Sequence, residues 1–279
     1  MDGNLISAPL TISSASLAAM WVTFIVTAIL PLAGWLILAQ RWKGAGTAVV
    51  AGALGFFLPQ VVIRIPLLSV PAAAEGLGGL YGQSPVAYFL FLAFTAGLFE
   101  TTGRLFVFRS LLSNRLSYRT GVAAGFGHGA VEALILVGIT YGANLYLSYT
   151  VNGGAPLPED PSLAAGVARL ATTPAGLFLA AAVERVCTVC FHVAASLFLC
   201  YMISIRKTLQ GFLLCLAAHT ALDFIVPQIQ VRTGSYVLTE GVMVGVAALS
   251  VGLIVHLQKK FEVRDIPPDS AGEAAKEGY

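Results

Sequence analysis

"GVAAGFGHGAVEALILVGITYGANLYLSY", Gly121 to Tyr149, contains no lysine, arginine or aspartate. Its strongly ionisable side chains are His128 and Glu132 alone. A helix crosses the hydrocarbon layer with about 20 predominantly apolar residues. This run is longer than that, so it reads as a membrane-spanning helix, and its histidine and glutamate are out of place against lipid. The rest of the chain agrees. Apolar residues make up 57% of the sequence and charged residues 11%, less than half of the roughly 25% that covers a soluble surface. A net charge of +2 is too small to point to nucleic acid as a partner.

Working outward from that stretch, seven segments meet the length requirement. They cover roughly Ala15 to Gln40, Thr47 to Val70, Ala87 to Leu112, Arg119 to Tyr149, Pro174 to Ile205, Leu209 to Val231 and Tyr236 to Leu257. Strands of a membrane barrel would alternate over about ten residues, and no such pattern is present. The expected fold is therefore all-α: one polytopic transmembrane bundle over residues 1–258 in the cell membrane. The tail, 259–279, reads as disordered and cytoplasmic. No cleaved signal peptide is expected, because no basic n-region precedes the first segment. Lysine and arginine concentrate after the first, third and fifth segments and in the tail, at Arg41, Lys43, Arg109, Arg115, Arg119, Arg206, Lys207, Lys259, Lys260, Arg264 and Lys276. The intervening loops carry Arg169 and Arg232. By the positive-inside rule the N-terminus lies outside and the C-terminus inside. The stretch "NGGAPLPEDPS" after the fourth segment breaks helix and reads as an outer loop. Cys187, Cys190, Cys200 and Cys215 all sit in apolar runs and read as free thiols.

Nine ionisable residues lie well inside the third to sixth segments: Glu100, Arg104, His128, Glu132, Glu184, Arg185, His192, His219 and Asp223. A charged side chain at mid-bilayer costs about 2.5–3.5 kcal/mol even on a lenient scale, so these residues should face one another. Glu100/Arg104, His128/Glu132 and His219/Asp223 are each spaced i, i+4, which puts each pair on one helix face. Glu184 and His192, eight apart, are expected near one face as well. His128 lies about nine residues from one end of its segment, roughly 13 Å deep at 1.5 Å per residue, and His192, His219 and Glu100 fall at similar depths. The glycines around His128 are expected to let helices approach closely, with a cleft for water or substrate as the other possibility. Arg64, near the outer end of the second segment, is expected to snorkel, with a structural pairing to Glu184 as the alternative.

The motifs "FETTGR", "GHGAVE", "ER" followed by "CFHVAAS", and "HTALD", with "FFLPQVVIRIPLL" upstream, resemble the YhfC family of intramembrane metalloproteases. The resemblance runs from about Phe56 to Asp223. That family is similar to a wider glutamic intramembrane protease group, which includes CAAX-prenyl endopeptidases and PrsW-like proteases. The wider group usually has a doubled glutamate in its first motif; here Phe99 precedes Glu100, so two adjacent carboxylates are not available. The resemblance implies a peptidase acting on membrane proteins or lipid-anchored peptides.

Hydrolysis needs a base for water, a stabiliser for the oxyanion and a proton for the leaving amine. Glu100 is the first candidate base and Glu132 the next, with Arg104 orienting Glu100. In one version His128, His192 and His219 bind Zn²⁺, with Asp223 or Glu132 orienting a ligand. In the other, metal-free, a glutamate activates water and His192 and His219 stabilise the oxyanion. The sequence has no H-E-x-x-H, and the two versions stand nearly level. Buried acids and bases also serve proton- or ion-coupled transport, although no inverted repeat is visible. A non-catalytic scaffold with a polar core is the third reading.

Overall fold

The computed structural model describes residues 10–264, and helix is the only regular secondary structure among them. Seven helices are long and apolar enough to cross a membrane: span 1 (Ser14–Arg41), span 2 (Ala45–Ser69), span 3 (Pro85–Leu111), span 4 (Tyr118–Asn152), span 5 (Ala175–Ser204), span 6 (Thr208–Thr233) and span 7 (Tyr236–Arg264). The chain is a multi-pass membrane protein of the class expected.

Two shorter helices join spans. Pro71–Gln83 follows span 2. Pro161–Thr172 follows span 4, in the region read as loop. Gly153 and Gly154 do end span 4, but Asp160 then caps a new helix, accepting from the backbone N–H groups of Ser162 at 2.8 Å and Leu163 at 3.1 Å. The side-chain hydrogen bond from Ser162, with these backbone donors, holds the Asp160 carboxyl below the ordinary carboxylate range. Span 7 is longer than expected. Lys259 and Lys260 leave the apolar run without ending the helix, which continues to Arg264. There Arg264 donates to the Leu116 carbonyl at 3.0 Å and lies over the Phe261 ring. The rest of the expected disordered tail, 265–279, lies outside the described residues.

The sequence reads as one bundle; internal contacts group the described residues into two compact units. The first comprises 10–33 and Ala133–Val186. Its core includes Ile12, Met20, Leu145, Val167 and Phe178. Buried Thr23 donates to the Phe178 carbonyl at 2.6 Å, and Asn152 exchanges two hydrogen bonds with the Ile12 backbone.

The second unit comprises Gly34–Glu132 and 187–264. Its core includes Ala48, Val107, Phe108, Ala123, Leu197 and Phe261. Without a hydrophobic drive between helices in lipid, close approach depends on small residues, and the second unit uses them where the site lies. Span 2 widens into a π-helix over Phe57–Arg64. Pro59 has no N–H for the Gly55 carbonyl four residues back. That carbonyl faces Gly103 of span 3 so closely that a Cβ there would come within 2.0 Å of it. In span 4, a Cβ on Gly127 would meet the Val49 carbonyl at 2.0 Å, and one on Gly125 would meet Val193 Cα at 2.6 Å. The glycines flanking His128 are therefore packing residues, pressed against spans 2 and 5, and leave no cleft.

Candidate functional site

Glu100, Arg104, His128, Glu132, His192 and His219 are all buried, none more than 7% exposed. All belong to the second unit. Each i, i+4 pair supplies one face, and the Gly55/Gly103, Gly127/Val49 and Gly125/Val193 crossings hold those faces together. Gly97 does the same for span 6: a Cβ there would touch Thr220 and His219. The convergence expected of these six residues is what the structure contains.

Arg104 is at the middle. Its Nη2 lies 3.0 Å from His128 Nε2 and 3.5 Å from Glu100 Oε2, and it contacts His192 Nδ1. Its Nη1 lies 3.4 Å from His219 Nδ1. A guanidinium only donates, so His192 Nδ1 and His219 Nδ1 turn a lone pair toward it. The other ring nitrogens fit that assignment. His192 Nε2 donates to Glu132 Oε2 at 2.5 Å, which fixes the tautomer that leaves Nδ1 bare. His219 Nε2 is 3.3 Å from Asp223 Oδ2 and 3.5 Å from Glu100 Oε2. His128 Nε2 is also 3.0 Å from Glu100 Oε2. It cannot accept from Arg104 and donate to Glu100 at once, so its role turns on where its proton sits.

Asp223 differs from the rest, with its side chain 35% exposed. It forms the open edge of an otherwise closed cluster. Two aromatic rings wall the site and escaped the sequence reading. Phe191 stands edge-on to His192 and His219, and Phe56 stands edge-on to His128. Aromatic residues are too common in these spans for a single phenylalanine to stand out.

Two expectations need correction. Glu184 does not share the His192 stripe. It pairs with its neighbour Arg185, and its side chain is 40% exposed. Eight residues overshoot two helical turns by about 80° and advance about 12 Å along the axis, which takes the carboxylate off that face and out of that layer. Arg64 does not snorkel. It is buried, donating to Thr95 Oγ1 at 3.1 Å and to the Leu92 carbonyl at 2.8 Å on span 3.

The donor set suits a transition-metal ion. One ligand atom from each of Glu100, His128, Glu132 and His192 can be chosen so that all lie within 4.8 Å of one another. Imidazole with carboxylate is a common ligand chemistry for zinc and its neighbours. His219 stands outside that group, on the far nitrogen of Arg104.

A multi-pass membrane protein with a buried histidine–glutamate–arginine centre is the class these features define. A family model described as YhfC intramembrane metalloprotease matches residues 25–247, and the chain belongs to that family. It is 26% identical over 198 residues to an uncharacterized membrane protein YhfC of Bacillus subtilis (strain 168). That match covers 64% of this chain and 72% of the relative. No solved structure matches.

Proposed function

We propose that this chain is an intramembrane metallopeptidase. It hydrolyses peptide bonds in membrane-embedded or lipid-anchored substrates, in the cell membrane, with its N-terminus outside and its C-terminus cytoplasmic. The observation that carries this reading is the company of Glu100 Oε2: a carboxylate oxygen inside an apolar bundle, 3.0 Å from His128 Nε2 and 3.5 Å from His219 Nε2. That is the arrangement of a base with proton partners on both sides.

Glu100 takes the proton of the attacking water and returns it to the leaving amine. His219 passes protons between Glu100 and Asp223, whose exposed edge meets water. Glu132 holds His192 in one tautomer and one orientation, as carboxylate partners of ligating histidines do. His128 and His192 are the residues that would hold Zn²⁺, with His219 as the third imidazole at hand. Bound there, the ion supplies a polarised water and Lewis-acid assistance to the carbonyl. Phe56 and Phe191 keep bulk water from the rings, which strengthens every charge interaction inside.

The metal-free version has one observation in its favour. Arg104 already sets a positive charge among the imidazoles, so Glu100 can activate water directly while His192 and His219, each once protonated on the facing nitrogen, stabilise the oxyanion.

The test is cleavage by purified protein in liposomes of membrane peptides that accumulate in cells lacking an active copy. Glu100→Gln should abolish cleavage and leave the melting temperature in place; full cleavage by that variant would overturn the assignment. Chelation that stops cleavage, with recovery on added zinc, selects the metal version. Proton or ion flux without any cleavage would select transport instead.

A further inference from the structure

We propose that Arg104 and a divalent metal ion compete for one seat, so that Arg104 is an internal cation that must swing out before metal binds. The proposal rests on the metallopeptidase reading above and adds a gate to it. Nη2 of Arg104 sits where His128 Nε2 and His192 Nδ1 meet beside Glu100 Oε2. Those three groups all belong to the set able to hold an ion. A neutral imidazole nitrogen facing a cation has one lone pair. It accepts a hydrogen bond from the guanidinium or it binds a metal ion, and it cannot do both.

Charge points the same way. Arg104 and a divalent ion would both be positive charges held at the same three groups, and like charges that close in a buried site repel strongly, so the guanidinium leaves as the ion arrives. Glu132 does not follow Arg104 out. Its bond to His192 Nε2 lies on the side of the ring away from the seat and keeps Nδ1 aimed at whichever cation is present. The fourth contact of Arg104, from Nη1 to His219 Nδ1 at 3.4 Å, is the one that can survive the exchange. His219 lies outside the ion-holding group and stays free to steady the displaced arginine.

Two measurements on the full-length protein test this. Zinc alone is titrated into purified, metal-stripped protein in micelles against a chromophoric competitor, for the wild type and Arg104→Met. Methionine keeps the apolar stem and removes the donors. The variant should bind one zinc at least about tenfold tighter, a modest figure for removing one charge-assisted competitor. Loss of the buried cation can also unfold the variant, so the second measurement uses the unmodified chain. A crystal structure of wild type loaded with zinc should place the guanidinium beyond hydrogen-bond reach of both His128 Nε2 and His192 Nδ1. Equal or weaker zinc binding by a folded Arg104→Met overturns the gate, and so does an unmoved guanidinium in the zinc-loaded wild type. In either of those cases zinc still binds, and the metallopeptidase reading stands. Failure of any form to bind zinc overturns the gate together with the metal version of the function.

Discussion

Gly103→Ala isolates the packing that assembles the site, because Gly103 is beside Arg104 in sequence yet has no side chain in the chemistry. Two effects oppose each other. Alanine is favoured over glycine inside a helix by about 1 kcal/mol. Against that, the new Cβ would come within 2.0 Å of the Gly55 carbonyl oxygen and 2.7 Å of Pro59 Cγ. Contacts become ordinary only from 3.4 Å outward, so spans 2 and 3 must part by well over an ångström. Neither obstacle is the far end of a flexible chain: one is backbone and the other a proline ring. Overpacking costs about 1–3 kcal/mol and sometimes more, and a contact this deep belongs at the upper end. The net expectation is about 2 kcal/mol of destabilisation, or a melting point lower by about 4–8 °C on the scale of domains of 150–250 residues. The shift also reaches the site. A displacement of about 1 Å is enough to cost roughly a hundredfold in rate, and the 3.0 Å contact of Arg104 with His128 has no slack to absorb it. The assay is a thermal melt in detergent together with cleavage, with Gly78→Ala as control. An added Cβ at Gly78 meets nothing within 4 Å, so that variant should melt no lower than wild type. Gly103→Ala melting at or above wild type with full cleavage would refute the reasoning.

Glu132→Gln keeps the size of the side chain that orients His192 and removes its charge; it should lower zinc affinity or cleavage by about 10–100-fold with an unchanged melt, and equal affinity and rate would show that Glu132 orients nothing. Thr23→Val deletes the buried hydroxyl that reaches the Phe178 carbonyl. Interhelical hydrogen bonds in membranes average about 0.6 kcal/mol with a ceiling near 1.7, so denaturation in micelles should register a loss in that range, and a loss of 3 kcal/mol or more would mean a different role. Zinc binding, followed by calorimetry in buffers of different ionisation heat, should release about one proton per ion, since metal binding competes with protons at such groups. Heats that do not depend on the buffer would contradict that.

The spans were legible in the sequence because lipid leaves no choice: every backbone group must be bonded within the helix, so each crossing is a long apolar run. The three i, i+4 pairs were legible for a related reason, since helical geometry alone puts Glu100 with Arg104, His128 with Glu132 and His219 with Asp223 on common faces. Which face meets which was not legible. That His192 of span 5 bonds Glu132 of span 4 depends on Gly125 letting span 4 lie against Val193. Nothing in "GFGHG" says which neighbour its glycines admit. Glu184 misled because a spacing of eight looks like two turns but overshoots them by about 80°. Arg64 misled because its acceptors, Thr95 and the Leu92 carbonyl, are on another span.

The composition of the cluster carries a constraint beyond its geometry. Burying an ion is tolerable when it is paired and hydrogen-bonded, and here the pairing runs through imidazoles: Glu100 lies against His128, His219 and Arg104, and Glu132 against His192, while Asp223 keeps contact with the exterior. The unequal burial follows the same logic. Glu100 and Glu132 are sealed in the cluster, with Phe56 against His128 and Phe191 against His192 and His219, whereas Asp223 stands at the opening, linked inward through His219.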